Sequence, residues 1–257
     1  MDRLHFTTVV AAPLTVAFDV ARALGRPWPF PLEEVESVRP VSDVYAAGPG
    51  SGRRRVVHER RFSATAAGTV VEEHVEWDPG LPGPVGGLLD RAVLRRRVRR
   101  AMGRHLDGYA AAAELRARDV VQVVGAAILR DGAGGREVLV AQRGSGALAG
   151  LWEFPGGKVE PGEDQRAALV RECAEELGVT VAPGAFLGEV PLDGAVAGGA
   201  PGASTLRVWA ARLVAGEPVA HEHRDLRWLP AAALEALDWI AADRPLLPAV
   251  RELLTRP

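Results

Sequence analysis

The chain has 257 residues, 47% of them hydrophobic, enough to bury one large core or two modest ones. A formal net charge of −2 excludes a strong overall attraction to nucleic acid or to an anionic membrane surface. The lone cysteine, Cys173, excludes an internal disulfide and fits a reducing compartment; with no amino-terminal leader-like run and no stretch of about 18 apolar residues, the expectation is a soluble, cytoplasmic protein with no membrane partner.

In chain order, residues 6–13 read as a strand and residues 14–24 as a short helix. Residues 53–62 and 69–77 are predicted as paired strands around the turn Ala66-Ala67-Gly68. The proline- and glycine-rich residues 78–87 read as a turn, and a long helix is predicted over about residues 88–116. On that helix Leu94, Val98, Met102 and Tyr109 make an apolar stripe, while Arg91, Arg95, Arg96, Arg97, Arg99, Arg100 and Arg104 make a basic run. The run reads as a solvated helix back. No aromatic side chains are interleaved with it for bases to stack on, so nucleic acid is not an expected partner.

Between Ala113 and Val120 the chain changes from an alanine-rich helix end to a β-branched run, which divides it into residues 1–117 and 118–257. Residues 120–129 and 137–143 are predicted strands, separated by a glycine-rich turn at 131–135. Further strands fall near residues 186–190, 205–213 and 226–229, and helical segments near 230–237 and 244–254.

The strongest signal lies between these sets. From Gly157 the chain reads G-x5-E-x7-R-E-C-x-E-E-x-G-V, with fixed positions Gly157, Glu163, Arg171, Glu172, Glu175, Glu176 and Gly178. A helix is predicted to start near Asp164, a suitable cap, and to be stopped by Gly178 and Pro183. Leu169, Cys173 and Leu177 recur every four residues as a buried stripe. Glu172, Glu175 and Glu176 crowd a neighbouring face near the helix C-terminus, where both their mutual repulsion and the helix dipole oppose them. A hard divalent cation, Mg²⁺ or alternatively Mn²⁺, would turn that repulsion into binding. The glycines at 156, 157 and 162 let backbone groups approach a phosphate chain or a metal.

This pattern is that of the Nudix box, and residues 119–257 resemble a Nudix hydrolase; Cys173 stands where Leu, Ile or Val is usual. The resemblance implies an α/β/α sandwich around a mixed sheet and a Mg²⁺-dependent pyrophosphohydrolase. Such an enzyme would split a nucleoside triphosphate, oxidised or modified, into the monophosphate and pyrophosphate. It assigns Glu172 to the metal and to water activation with Arg171 orienting it, Glu175 and Glu176 to the metal together with the Gly156 carbonyl, and Glu163 to a structural pairing with Arg171. Gly157 and Lys158 would meet the substrate. Which glutamate is the general base stays open. Ala141-Gln142-Arg143 followed by Gly150-Leu151-Trp152-Glu153-Phe154-Pro155-Gly156-Gly157-Lys158 is similar to the MutT and CTP pyrophosphohydrolase branch, as is His221-Glu222-His223, where Glu222 would be an outlying metal ligand. Asp243 aligns with the position that meets the base edge in that branch; a surface Asp capping the last helix is the competing reading. His221 and His223 read as surface or supporting residues.

Residues 1–117, a strand, a sheet and a long closing helix, resemble the START-like (SRPBCC) helix-grip fold, which would make the chain a two-domain α+β protein and give this half a small apolar ligand. Fewer strands are predicted than a full grip requires. Two other functions stay in view: a regulatory protein that senses a nucleotide without cleaving it, and an apolar-ligand-binding START-like protein with an accessory Nudix domain.

Overall fold

The computed structural model describes residues 2–47, 55–78, 84–192 and 204–256, with the side chains of 84–92 outside the description. Its internal contacts divide the chain into two units, Met1–Asp119 and Val120–Pro257.

The first unit is an antiparallel sheet of five strands: β1 (Asp2–Val10), β2 (Glu33–Val38), β3 (Ser42–Ala47), β4 (Val56–Thr65) and β5 (Gly68–Trp77), in the order β1-β5-β4-β3-β2. Along β4 and β5 every second residue is buried, Val56, His58, Arg60 and Phe62 on one strand and Val71, Glu73, Val75 and Trp77 on the other. That period of two turns one face toward the helices α1 (Leu14–Leu24) and α2 (Pro84–Ala117). On α2 the spacing becomes helical: Val98, Met102, Leu106, Tyr109 and Ala113 are buried, and Arg95, Arg96, Arg97, Arg99, Arg100 and Arg104 are exposed. The Tyr109 hydroxyl donates to the Ala17 carbonyl at 3.0 Å, and Phe18 meets Phe62 edge-on at 5.2 Å.

Two expectations are corrected here. Strands β2 and β3 were not predicted; all six residues of β2 are exposed, so no alternation marked it. The long helix begins at Pro84, inside the predicted turn. Proline suits a first helical turn, where its missing N–H has no partner to lose, and Gly86 and Gly87 are carried within the helix. Residues 53–54 and 79–83, parts of a predicted strand and of that turn, lie outside the described residues.

This unit has a polar core. Asp43 is fully buried, and Arg60 grips it with Nε and Nη2 at 2.9 and 2.6 Å while Arg26 reaches it at 2.7 Å. Burial opposes the Asp43 charge, but the two guanidiniums outweigh it and hold the carboxyl below its usual range. Beside it His58 pairs with Glu73 at 2.7 Å and accepts from Trp28 Nε1 at 3.1 Å.

The second unit is a mixed sheet: β6 (Val121–Gly132), β7 (Gly135–Gln142), β8 (Trp152–Glu153), β9 (Thr180–Leu192), β10 (Ser204–Ala215) and β11 (Asp225–Pro230). The order is β11-β7-β6-β10-β9 with β8 on β7, and β6 and β10 run parallel. Both faces are covered, which is why the β6 run looks continuously apolar. Val124, Ala126, Ile128, Leu139 and Trp209 pack with α3 (Gln165–Leu177); Ala127, Val138, Val140 and Val208 pack with α4 (Leu247–Thr255). The stripe Leu169, Cys173 and Leu177 is fully buried, and burial pushes the Cys173 thiol up to about 12, so it stays an unreactive core group. Asp164 caps α3 by accepting from Arg166 and Ala167 N, and Gly178 ends it at φ 67°. Pro183, expected to help stop that helix, lies inside β9. Residues 230–237 form a 3₁₀ turn, Ala231–Ala236, rather than an α-helix. Among the described residues no helix is long and apolar enough to cross a membrane.

Candidate active site

The site is built where the glycine loop meets β6. Val124 N donates to the Gly157 carbonyl at 2.9 Å, Ala126 N to Pro155 at 2.8 Å, and Val159 N to Gln122 at 2.9 Å, so the loop is stitched along β6 like a short strand. Gly156 has φ 148°, and a β-carbon there would overlap the Val124 carbonyl. At Gly157 a β-carbon would run into the Glu172 carboxylate, so a larger residue there would displace that side chain from the loop.

Arg171 organises the outer part of the box. Its Nε and Nη2 donate to Glu163 at 3.0 and 2.9 Å, its Nη1 to Glu172 at 3.0 Å and Glu175 at 3.1 Å, and Nη2 also to the Lys158 carbonyl at 2.9 Å. One guanidinium thus ties the helix to both ends of the loop. Hydrogen bonding to Arg171 lowers the Glu163 pKa, while burial raises that of Glu172 against the pull of Arg171. Glu175 is largely exposed.

Glu176 lies deeper. Gly156 N donates to its Oε2 at 3.0 Å, and burial, aided by the nearby Glu172 and Glu153 carboxylates, pushes its pKa up to about 7. It faces a cavity of about 250 Å³ whose walls also include Gly156, Gly157, Lys158, Glu222 and Asp243. Six of the predicted site residues therefore meet around one space, while Glu163, Arg171, Glu172 and Glu175 form the ion-paired rim outside that lining. Among the described residues no three His, Cys, Asp or Glu side chains stand at metal-holding geometry, and Arg171 is ion-paired with two of the box carboxylates, Glu172 and Glu175. The donor chemistry nevertheless fits a hard dication: the Glu176 and Glu222 carboxylates and the Gly156 backbone line one cavity and offer oxygen donors.

Asp243 is 3% exposed and does not cap the last helix, so the surface reading is overturned. Its Oδ1 accepts from Phe154 N at 3.2 Å, and the apolar walls of the same cavity include Phe154, Leu206 and Ile240. Burial pushes its pKa up to about 8. Because the folded value exceeds the unfolded one, the stability that protonation contributes is fully present below about pH 4 and is lost as pH rises through 8. Asp243→Asn should therefore unfold at nearly the parent's urea midpoint at pH 4 and at a clearly higher one at pH 8.5, a difference of several kcal/mol in unfolding free energy at ~1.4 kcal/mol per unit. Equal midpoints across that range would refute the buried acid.

Three polar residues of the cavity, Arg143, Glu153 and His223, appear in the sequence motifs but were given no catalytic, metal or substrate role. Arg143 pairs with Glu153 at 2.8 Å. The His223 side chain is only 5% exposed and lies 3.5 Å from Glu153, whereas His221 is exposed, its Nδ1 3.2 Å from the Glu175 carbonyl. The carboxylates outweigh burial and raise the His223 pKa. Alternation cannot separate these two histidines, because they precede β11 and their directions are set by the backbone.

A family model described as NUDIX domain matches residues 121–250. A Mycobacterium tuberculosis protein provisionally named 8-oxo-dGTP diphosphatase 2 is 50% identical over 123 residues, 48% of this chain and 82% of that protein. The CTP pyrophosphohydrolase of Escherichia coli is 40% identical over 139 residues, 52% of this chain and 93% of that protein. The solution structure of the E. coli ORF135 protein is 37% identical with a TM-score of 0.44, covering 54% of this chain and 94% of that one.

Proposed function

The chain belongs to the Nudix family and is a Nudix hydrolase, and on that footing we propose that it is a Mg²⁺-dependent pyrophosphohydrolase that splits a nucleoside triphosphate into the monophosphate and pyrophosphate. The observation that carries this reading is that Gly156, Glu176, Glu222 and Asp243 line one cavity. Glu172, Glu175, Glu176, Glu222 and the Gly156 carbonyl would hold Mg²⁺, or Mn²⁺ in its place. The bound ion neutralises charge developing on phosphate oxygens.

The protein's own part is positioning. Arg171 fixes the Glu172 carboxylate from its far side, leaving the other oxygen to orient and deprotonate water. Glu163 holds Arg171, and Lys158 stands at the cavity wall as a cation for phosphate. The apolar walls would take the base, with Asp243 at its edge. A neutral Asp243 carries both an O–H donor and an acceptor, the pair a nucleobase edge can read. The relatives' names make 8-oxo-dGTP the first nucleotide to try and CTP the second.

The deciding experiment is a pyrophosphate-release screen over oxidised and ordinary nucleoside triphosphates, with and without Mg²⁺. Metal-dependent release from at least one nucleotide is expected; binding without release from any of them would favour a sensor. A fragment of residues 119–257 should fold and keep that activity, because all the site residues lie within Val120–Pro257. A folded but inactive fragment would make residues 1–118 part of the catalytic unit. Glu222→Gln should lower turnover at saturating nucleotide by tens of fold, roughly 2 kcal/mol; kinetics within twofold of the parent across a Mg²⁺ titration would make Glu222 a surface residue.

A separate cavity supports a second role for the amino-terminal unit, read as a START-like domain. It measures about 360 Å³ and is lined by Trp28, Phe30, Trp77, Leu94, Val98 and Met102, a surface suited to a small apolar ligand. Lipid that co-purifies with the full chain and is lost on Ala101→Trp, at the cavity wall, would support it; full-chain protein free of bound lipid, with no shift in melting on adding fatty acids, would oppose it.

A further inference from the structure

We propose that His223 is a positioning residue of the hydrolase, holding Glu153 and Glu176 in one arrangement so that Glu176 meets the metal; the proposal rests on the hydrolytic reading above. Its Nε2 lies 3.5 Å from Glu153 Oε1 and 4.0 Å from Glu176 Oε2, so one imidazole stands between two carboxylates that would otherwise repel. Each carboxylate is fixed from a second side. Arg143 holds the other Glu153 oxygen at 2.8 Å, and Gly156 N donates to Glu176 at 3.0 Å. The result is a chain of contacts, Arg143–Glu153–His223–Glu176, that links the residue following β7, strand β8, the segment before β11 and the last turn of α3.

The backbone shows that the imidazole is held in place. His221 N donates to the Glu176 carbonyl at 3.1 Å and Arg224 N to the Gln142 carbonyl at 2.8 Å, which pins the residues on both sides of His223 to α3 and to β7. A side chain at Gly144 would collide with the Glu222 carbonyl, so the neighbouring loop is also closed against this segment. His223 Nδ1 is buried without a hydrogen-bond partner on a residue that lines the cavity, which leaves Nε2 as the nitrogen engaged with protein. An apolar residue of similar size would leave the two carboxylates facing each other with nothing between them. Glu176 would then turn away, and the metal would lose its deepest ligand.

The test compares His223→Leu and His223→Gln in the full chain, with Mn²⁺ affinity read by electron paramagnetic resonance without nucleotide, and kcat and KM read separately. Gln keeps an N–H that reaches one carboxylate; Leu keeps none. Expected for His223→Leu are at least tenfold weaker Mn²⁺ binding and at least tenfold lower kcat at saturating nucleotide, with nucleotide KM within about threefold at saturating metal. His223→Gln should recover most of both losses. If the parent binds Mn²⁺ and hydrolyses nucleotide while His223→Leu stays within twofold on both readouts, the positioning role is wrong. If the parent does neither, the hydrolytic reading itself fails. Should His223→Leu not fold, a cycle of His223→Gln with Glu153→Gln decides: loss of Mn²⁺ affinity that does not add in the double variant supports the contact chain, and fully additive losses overturn it.

Discussion

Glu176→Gln is expected to cut turnover at limiting Mg²⁺ by about 10²- to 10³-fold, because each decade is ~1.4 kcal/mol and charge stabilisation by a bound ion is worth several kcal/mol. The amide can still accept from Gly156 N, so the loop and helix keep their places and only the charge is removed. Stability should move the other way. The folded-state pKa of Glu176 is raised to about 7, so the parent loses stability as pH climbs from the ordinary carboxylate range through neutrality, and the amide does not. Metal-free Glu176→Gln should thus melt above the parent at pH 8 and close to it at pH 5. Unchanged turnover at limiting Mg²⁺ would remove Glu176 from the metal site.

In the amino-terminal unit the largest effect belongs to Asp43. Asp43→Ala would leave Arg60 and Arg26 buried with no carboxylate between them, a loss of about 3–5 kcal/mol in unfolding free energy. Because Asp43 is fully buried, added salt should not restore the loss. Chemical denaturation of Asp43→Ala with a loss below about 1 kcal/mol would mean that the guanidiniums find other partners. Asp43→Asn should fall between parent and Ala, since an amide oxygen can still accept from one guanidinium.

Much of the carboxy-terminal unit follows from local rules acting on neighbouring residues. The cap at Asp164, the stop at Gly178, the stripe Leu169-Cys173-Leu177 and the shared face of Glu172, Glu175 and Glu176 are all consequences of helical spacing within one segment. Arg171 pairs with Glu163, eight residues back and just ahead of the Asp164 cap. The Nudix family is legible in that segment.

What spacing could not supply was direction over long separations. β2 has no buried face, so nothing in its side chains announced a strand, and its hydrogen bonds to β3 define it instead. Asp43, Arg60, His58 and Glu73 look like surface charges along their strands; they are interior because α1 and α2 close over that face and because each finds an opposite partner there. At the candidate active site, Asp243 is 89 residues from Phe154, whose N–H it accepts, and His223 meets carboxylates from β8 and α3. Burial of a polar group is tolerable only where distant chain segments deliver its partner, so the fate of these residues depends on the whole fold.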